Sequence, residues 1–130
     1  MNLADYFKHA SGTGVLATCD PGHEVDVAIY AKPYVADENT VIFVMKERLS
    51  HQNLLSNPQA AYLFMEDGRN DKGVRLYLTM IREEKNQTAI KAMQKKQPCM
   101  FPAEDDSEKF MVSFQIDRVR SLIGDGPLDL

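Results

Sequence analysis

Val41-Ile42-Phe43-Val44-Met45 runs directly into Lys46-Glu47-Arg48-Leu49-Ser50-His51-Gln52-Asn53-Leu54-Leu55-Ser56-Asn57-Pro58. Five apolar residues without a polar break read as a buried strand. Ser50 stands where a helix N-cap belongs, and Asn57-Pro58 ends the helix, because proline disfavours helical backbone in the residue before it. The piece is therefore a strand, a basic turn and a short helix. Free N–H groups of the first helical turn, the helix dipole and the Arg48 guanidinium can all face one phosphate there. A phosphorylated cofactor is the expected occupant.

The 130 residues suit one domain, residues 1–130, with a sizeable core. A hydrophobic fraction of 44% and a charged fraction of 26% are those of a globular protein in water. The longest apolar runs are about five residues, against the roughly 20 that a membrane helix needs. The N-terminus lacks the basic and apolar regions of a secretory signal. Cys19 and Cys99 stand in no paired spacing, so a reduced, cytoplasmic setting is expected rather than a disulfide framework. A net charge of −4 argues against nucleic acid as a partner. Lys91, Lys95 and Lys96 read as a solvated helix face.

Towards the N-terminus, Leu3, Tyr6, Phe7 and Ala10 fall at helical spacing, with Asn2 as cap and Gly12 as stop. Gly12-Thr13-Gly14-Val15-Leu16-Ala17 matches the letters GxGxxA, but a helix precedes it and a strand follows, the reverse of the dinucleotide fold's order. A strand over Val15–Cys19 turns at Asp20-Pro21-Gly22-His23, read as a type II turn with positive φ at Gly22. A second strand follows over Glu24–Lys32, and Pro33 limits its pairing.

Towards the C-terminus, Ala60–Met65 makes a strand and residues 67–73 a polar loop. Val74, Leu76, Leu78 and Met80 then alternate with Arg75, Tyr77 and Thr79. A helix over Asn86–Gln97 turns Ala89, Ile90 and Met93 inward, and the loop Pro98–Ser107 is expected to be exposed. A last strand alternates Phe110, Val112, Phe114 and Ile116 with Met111, Ser113, Gln115 and Asp117, continuing to Ile123 with a bend near Asp117-Arg118. The fold class expected is mainly β (α+β): a six-stranded antiparallel barrel with short flanking helices, since closure hides the sheet edges.

Four pieces in order resemble the FMN-binding split-barrel family related to pyridoxamine 5′-phosphate oxidase. They are Gly14-Val15-Leu16-Ala17-Thr18, Val27-Ala28-Ile29-Tyr30, Asn53-Leu54-Leu55-Ser56-Asn57-Pro58-Gln59-Ala60-Ala61 and Leu76-Tyr77-Leu78-Thr79. The resemblance implies a split barrel, and a homodimer with FMN held between subunits. By position, Val27, Ala28, Ile29 and Tyr30 would line the flavin ring. Phe43, Val44, Met45 and Lys46 would flank it, and Arg48, Leu49, Ser50 and Asn53 would take the phosphate end. Relatives often carry Ser-x-Lys where this chain has Arg48 and Ser50. The oxidase's C-terminal arginine and histidine are also missing from Arg118–Pro127, so vitamin B6 compounds are not the expected substrates.

Plainer roles compete at each position. Arg48 can pair Glu47 at the surface, Ser50 can serve only as a cap, and the tyrosines can pack a dimer seam instead of a ring. His51 in a helix's first turn reads as solvated, and His9, His23 and His51 share no ligand spacing, so no metal site is expected. Cys19 reads as a small buried residue. The function expected is an FMN-dependent oxidoreductase acting on a small molecule; the alternative is a non-catalytic flavin- or haem-binding or redox-sensing protein.

Overall fold

A computed structural model of the chain describes residues 2–68, 71–96, 107–124 and 126. Helix α1 (Leu3–His9) is followed by strands β1 (Gly12–Cys19), β2 (Val25–Ile29), β3 (Tyr34–Asp37) and β4 (Thr40–Lys46). Then come α2 (Leu49–Ser56), β5 (Gln59–Glu66), β6 (Gly73–Glu84), α3 (Gln87–Lys96) and β7 (Lys109–Ser121). Every described strand pairing is antiparallel, in the order β2-β1-β5-β6-β7-β4-β3. Seven strands stand where six were expected. The extra one, β3, is a four-residue edge strand with a register shift, too short for an alternation pattern.

The sheet is rolled but not closed. Phe43 on β4 reaches across to Tyr62 on β5, 5.0 Å between ring centroids, and to Tyr30 beyond the end of β2 at 6.0 Å. Two intervening strands separate β4 from β5 along the ladder, so this contact requires strong curvature. The hydrogen-bonded ladder nonetheless leaves β2 and β3 as free edges among the described residues. The core inside the roll takes Leu16, Tyr62, Phe64, Val74, Leu76, Leu78, Val112 and Phe114, and α1 plugs it with Leu3 and Phe7. A second, smaller cluster of Tyr34, Ile42, Val44, Ile90 and Met111 lies under α3. That is why β4 and the first half of β7 are buried on both faces and their alternation carries no exposed side.

Several local expectations hold. The Asn2 side chain accepts from the Asp5 amide at 2.9 Å as the cap of α1, and β7 shifts register opposite Asp117, where the bend was read. Others do not. The positive φ in the first hairpin belongs to His23, at 69°, not to Gly22. Asp20 Oδ1 takes the amides of Gly22 and Glu24, and this side-chain fastening replaces the type II geometry. The second strand ends at Ile29 instead of Lys32, and β1 begins at Gly12. A Cβ on Gly14 would lie 1.9 Å from the Tyr62 hydroxyl, so this glycine serves close packing. Most of the expected loop at 98–107, Cys99 and Gln97 lie outside the described residues.

Candidate functional site

The first turn of α2 and the end of β2 meet in a pocket of about 460 Å³ lined by Asp26, Ala28, Ile29, Tyr30, Arg48, Leu49 and Ser50. Six of these seven were singled out in the sequence. Asp26 was missed, although strand alternation sets it on the same face as Ala28.

The N-cap of α2 is Arg48, in extended backbone and with no side-chain cap bond, which corrects the assignment of that role to Ser50. Ser50 instead sits inside the first turn, is buried, and lines the pocket together with Tyr30. Burial raises the Tyr30 pKa above the ordinary tyrosine value; the nearby Arg48 charge and the Ser50 side chain oppose this. The first turn of α2 contains no acidic residue of its own and no side-chain cap; the nearest carboxylates are Glu47, held by His51, and Asp26 on the β2 wall.

The edge of β2 adds polar backbone. The Tyr30 amide donates to the Gly14 carbonyl. Alternation along the β1–β2 register therefore points the N–H and C=O groups of Val27 and Ile29 away from β1, at the free edge.

The other candidates lie elsewhere. Phe43 and Met45 are buried inside the roll, and Val44 belongs to the cluster under α3. None of these three lines the pocket, because the β4 side chains are consumed by two cores. Lys46 ends β4, half-buried. Asn53 points inward and donates its Nδ2 hydrogen to Thr18 Oγ1 at 3.0 Å, so it fastens α2 to β1 rather than facing the pocket. His51, read as solvated, is 1% exposed. Its ring stacks on Phe110, and the spacing of the isolated helix offered no sign of that partner. Among the described residues no cluster of three or more His, Cys, Asp or Glu could hold a metal ion. Cys19 is a half-buried free thiol.

Val27 contributes to a different surface. Register places Val27, Ala17, Ala61, Tyr77 and Arg118 in one row across the outside of the sheet, and Ile29, Val15, Leu63, Arg75 and Arg120 in the next. The rows are apolar on β2, β1 and β5 and cationic on β7, where Arg118 and Arg120 lie over the Tyr77 ring at 4.6 and 5.4 Å. Val27 and Ile29 are 66% and 67% exposed. An apolar hollow of about 330 Å³ lies among Val15, Ala17, Val27, Ala61, Leu63 and Tyr77.

No family model and no curated protein matches the sequence. Solved structures do resemble the fold. An FMN-binding protein from Syntrophomonas wolfei is 16% identical over 95% of this chain and 85% of its own, with a TM-score of 0.74. Group A Streptococcus HupZ is 14% identical over 98% and 96%, with a TM-score of 0.76. A putative pyridoxamine 5′-phosphate oxidase from Lactobacillus delbrueckii is 18% identical over 91% and 89%, with a TM-score of 0.68. At these identities the likeness is one of fold, and it agrees with the resemblance carried by the four sequence pieces. No helix among the described residues is long and apolar enough to cross a membrane.

Proposed function

We propose that this protein binds FMN in the pocket between β2 and α2 and acts as a flavin-dependent oxidoreductase, with two copies meeting across the outer face of β2, β1 and β5. The observation that carries the reading is the convergence of Ala28, Ile29, Tyr30, Arg48, Leu49 and Ser50 on one pocket of about 460 Å³. Its volume lies in the range of cofactor sites, with an apolar wall and a few polar groups at one end. Arg48 and the uncapped first turn of α2 suit a phosphate. The free-edge amides and carbonyls of Val27 and Ile29 suit the hydrogen-bonding rim of a flat heterocycle. The FMN-binding and oxidase-type proteins that share the fold support the same cofactor class.

A bound flavin supplies hydride or electron transfer; the chain's own part is position and polarity. Ala28 would exclude water from one ring face, and Tyr30 with Ser50 would form a polar boundary between ring and phosphate. Arg48 neutralises phosphate charge. The exposed Val27, Ile29 and Leu63 favour a second copy as the cover of this face, because a monomer would leave a continuous apolar band in water.

The deciding experiment is an FMN titration followed by flavin fluorescence. Wild type should bind, and Arg48→Ala should bind about ten- to a hundredfold more weakly, as expected for losing a charge-assisted contact. Equal affinity in both proteins would refute the phosphate site. Reduction of the bound flavin by a nicotinamide donor, followed by loss of its visible absorbance, tests the oxidoreductase reading separately.

A further inference from the structure

The His51 imidazole is buried between two carboxylates. Its ring lies parallel to Phe110, 4.1 Å between centroids and 16° between planes. Nδ1 is 3.2 Å from Glu47 Oε1, one turn earlier in the chain, and Nε2 is 3.2 Å from Glu83 Oε2 on β6. The approach to Glu83 is at ion-pair distance but too oblique for a directed hydrogen bond, so Nε2 is a buried polar atom without one. A neutral imidazole owns a single N–H and can donate to only one of two flanking carboxylates; an imidazolium donates to both. Glu83 is 15% exposed at its side chain and Glu47 53%, so the Glu83 side of the pair is the less screened by water.

His51 shares its helical turn with the pocket residues. Arg48 and Ser50 face β2, whereas His51 faces β6 and β7. The charged and titratable groups around it are few. Glu47 comes from the turn before α2, and Glu83 comes from β6. Lys85 places its ammonium 5.7 Å from the centre of the Phe110 ring. Beside Phe110 on β7, the buried Lys109 sends its ammonium to the Ser107 carbonyl. On the opposite side of α2 the groups are Asp26 and Tyr30 of the pocket and the uncharged Thr18 that holds Asn53.

We propose that His51 is a proton-operated positioning residue: protonated, it pins the first turn of α2 to β6 through Glu83 and holds Arg48 and Ser50 in place for an anion. The consequence rests on the pocket being the FMN site, while the latch itself does not. On protonation the carboxylate that lacked a donor gains one, and the turn is fixed at both ring nitrogens. On deprotonation one carboxylate loses its donor, the turn loosens, and affinity for the phosphate falls. The second donor exists only on the protonated ring, which stands between two carboxylates, so the latch's contribution is present at low pH and is lost when the ring gives up its proton.

The test uses the full chain as wild type, His51→Gln and Glu83→Gln. FMN affinity is measured from about pH 5.5 to about pH 8.5, the span over which histidine changes charge. Ionisation of the FMN phosphate affects all three proteins alike and cancels in the wild-type-to-variant ratio. That ratio should fall about five- to tenfold from the acid to the alkaline end for both variants, a coupling of ordinary allosteric size. A ratio that stays constant within about twofold over that range overturns the proposal.

A second arm needs no flavin. The wild-type advantage in urea unfolding midpoint over each variant should shrink as pH rises, and an advantage independent of pH overturns the latch. Should His51→Gln fail to fold, Glu83→Gln carries both arms, since it removes one flank without disturbing the stack. Absence of FMN binding to wild type at every pH would refute the functional reading, and the unfolding arm would then decide the latch alone.

Discussion

Asn53 Nδ2 donates to Thr18 Oγ1 at 3.0 Å in the interior, joining α2 to β1 across 35 residues of sequence. Both side chains are buried, so neither has water as an alternative partner. Position in the chain suggested a ligand; the geometry shows a fastening.

Asn53→Ala should therefore destabilise the fold by about 1–3 kcal/mol, because the Thr18 hydroxyl is left buried without its donor. Urea denaturation of Asn53→Ala, Thr18→Val and the double variant measures it. The double variant should lose less than the sum of the singles, and simple additivity would show the pair to be uncoupled.

Gly14→Ala should cost the upper end of roughly 1–3 kcal/mol or more, since the new methyl would meet the Tyr62 hydroxyl at 1.9 Å and the Tyr30 carbonyl oxygen at 2.5 Å. Adding Tyr62→Phe removes the hydroxyl but leaves the ring carbon Cζ at 2.4 Å and the Tyr30 carbonyl oxygen. Thermal unfolding should therefore show partial rescue only.

Alkaline titration offers a further check. Burial raises the Tyr62 and Tyr30 pKa values above the ordinary 10.0, and for Tyr6 burial is joined by a hydrogen bond to Glu66 and by that residue's charge. A value higher in the folded than in the unfolded state contributes stability that is complete below pH 10 and lost as pH climbs towards the folded values. Absorbance at the tyrosinate band should show Tyr6, Tyr30 and Tyr62 ionising late and together with unfolding. Tyr62→Phe should reduce the alkaline loss.

Val27→Asp should separate the proposed pair of subunits, since it sets a charge in the centre of the apolar hollow of Val15, Ala17, Ala61 and Leu63. Sedimentation should report a dimer for wild type and a monomer for the variant. A wild-type monomer at micromolar concentration would remove the second copy from the proposal.

The sheet was legible wherever alternation had one wet side. Val74, Leu76 and Leu78 face inward and Arg75, Tyr77 and Thr79 outward, as their spacing requires. The roll was legible in outline but not its count, because β3 has only four residues at an edge. At the pocket, the neighbours Arg48, Leu49 and Ser50 could be read as a group from the strand-to-helix junction. The side-chain placement of Phe43, Val44 and Met45 was not legible, because an apolar run does not reveal what covers each of its faces; here the roll covers Phe43 and Met45, and α3 and β3 cover Val44. The His51 environment was invisible for a related reason. Glu83 and Phe110 lie 32 and 59 residues further on, and only the curvature of the sheet brings them to the helix.

That same curvature bears on how the protein is assembled. One wall of the pocket comes from β2, at one edge of the sheet, and the other from the turn after β4, next to the opposite edge. No hairpin contains both. A chain that has formed only its local ladders owns every residue of the pocket and none of its shape, so a ligand of the proposed kind would find no site until the last long-range contacts close. Ligand capture then reports completion of folding, and a saturating ligand would slow unfolding without hastening the search that precedes closure.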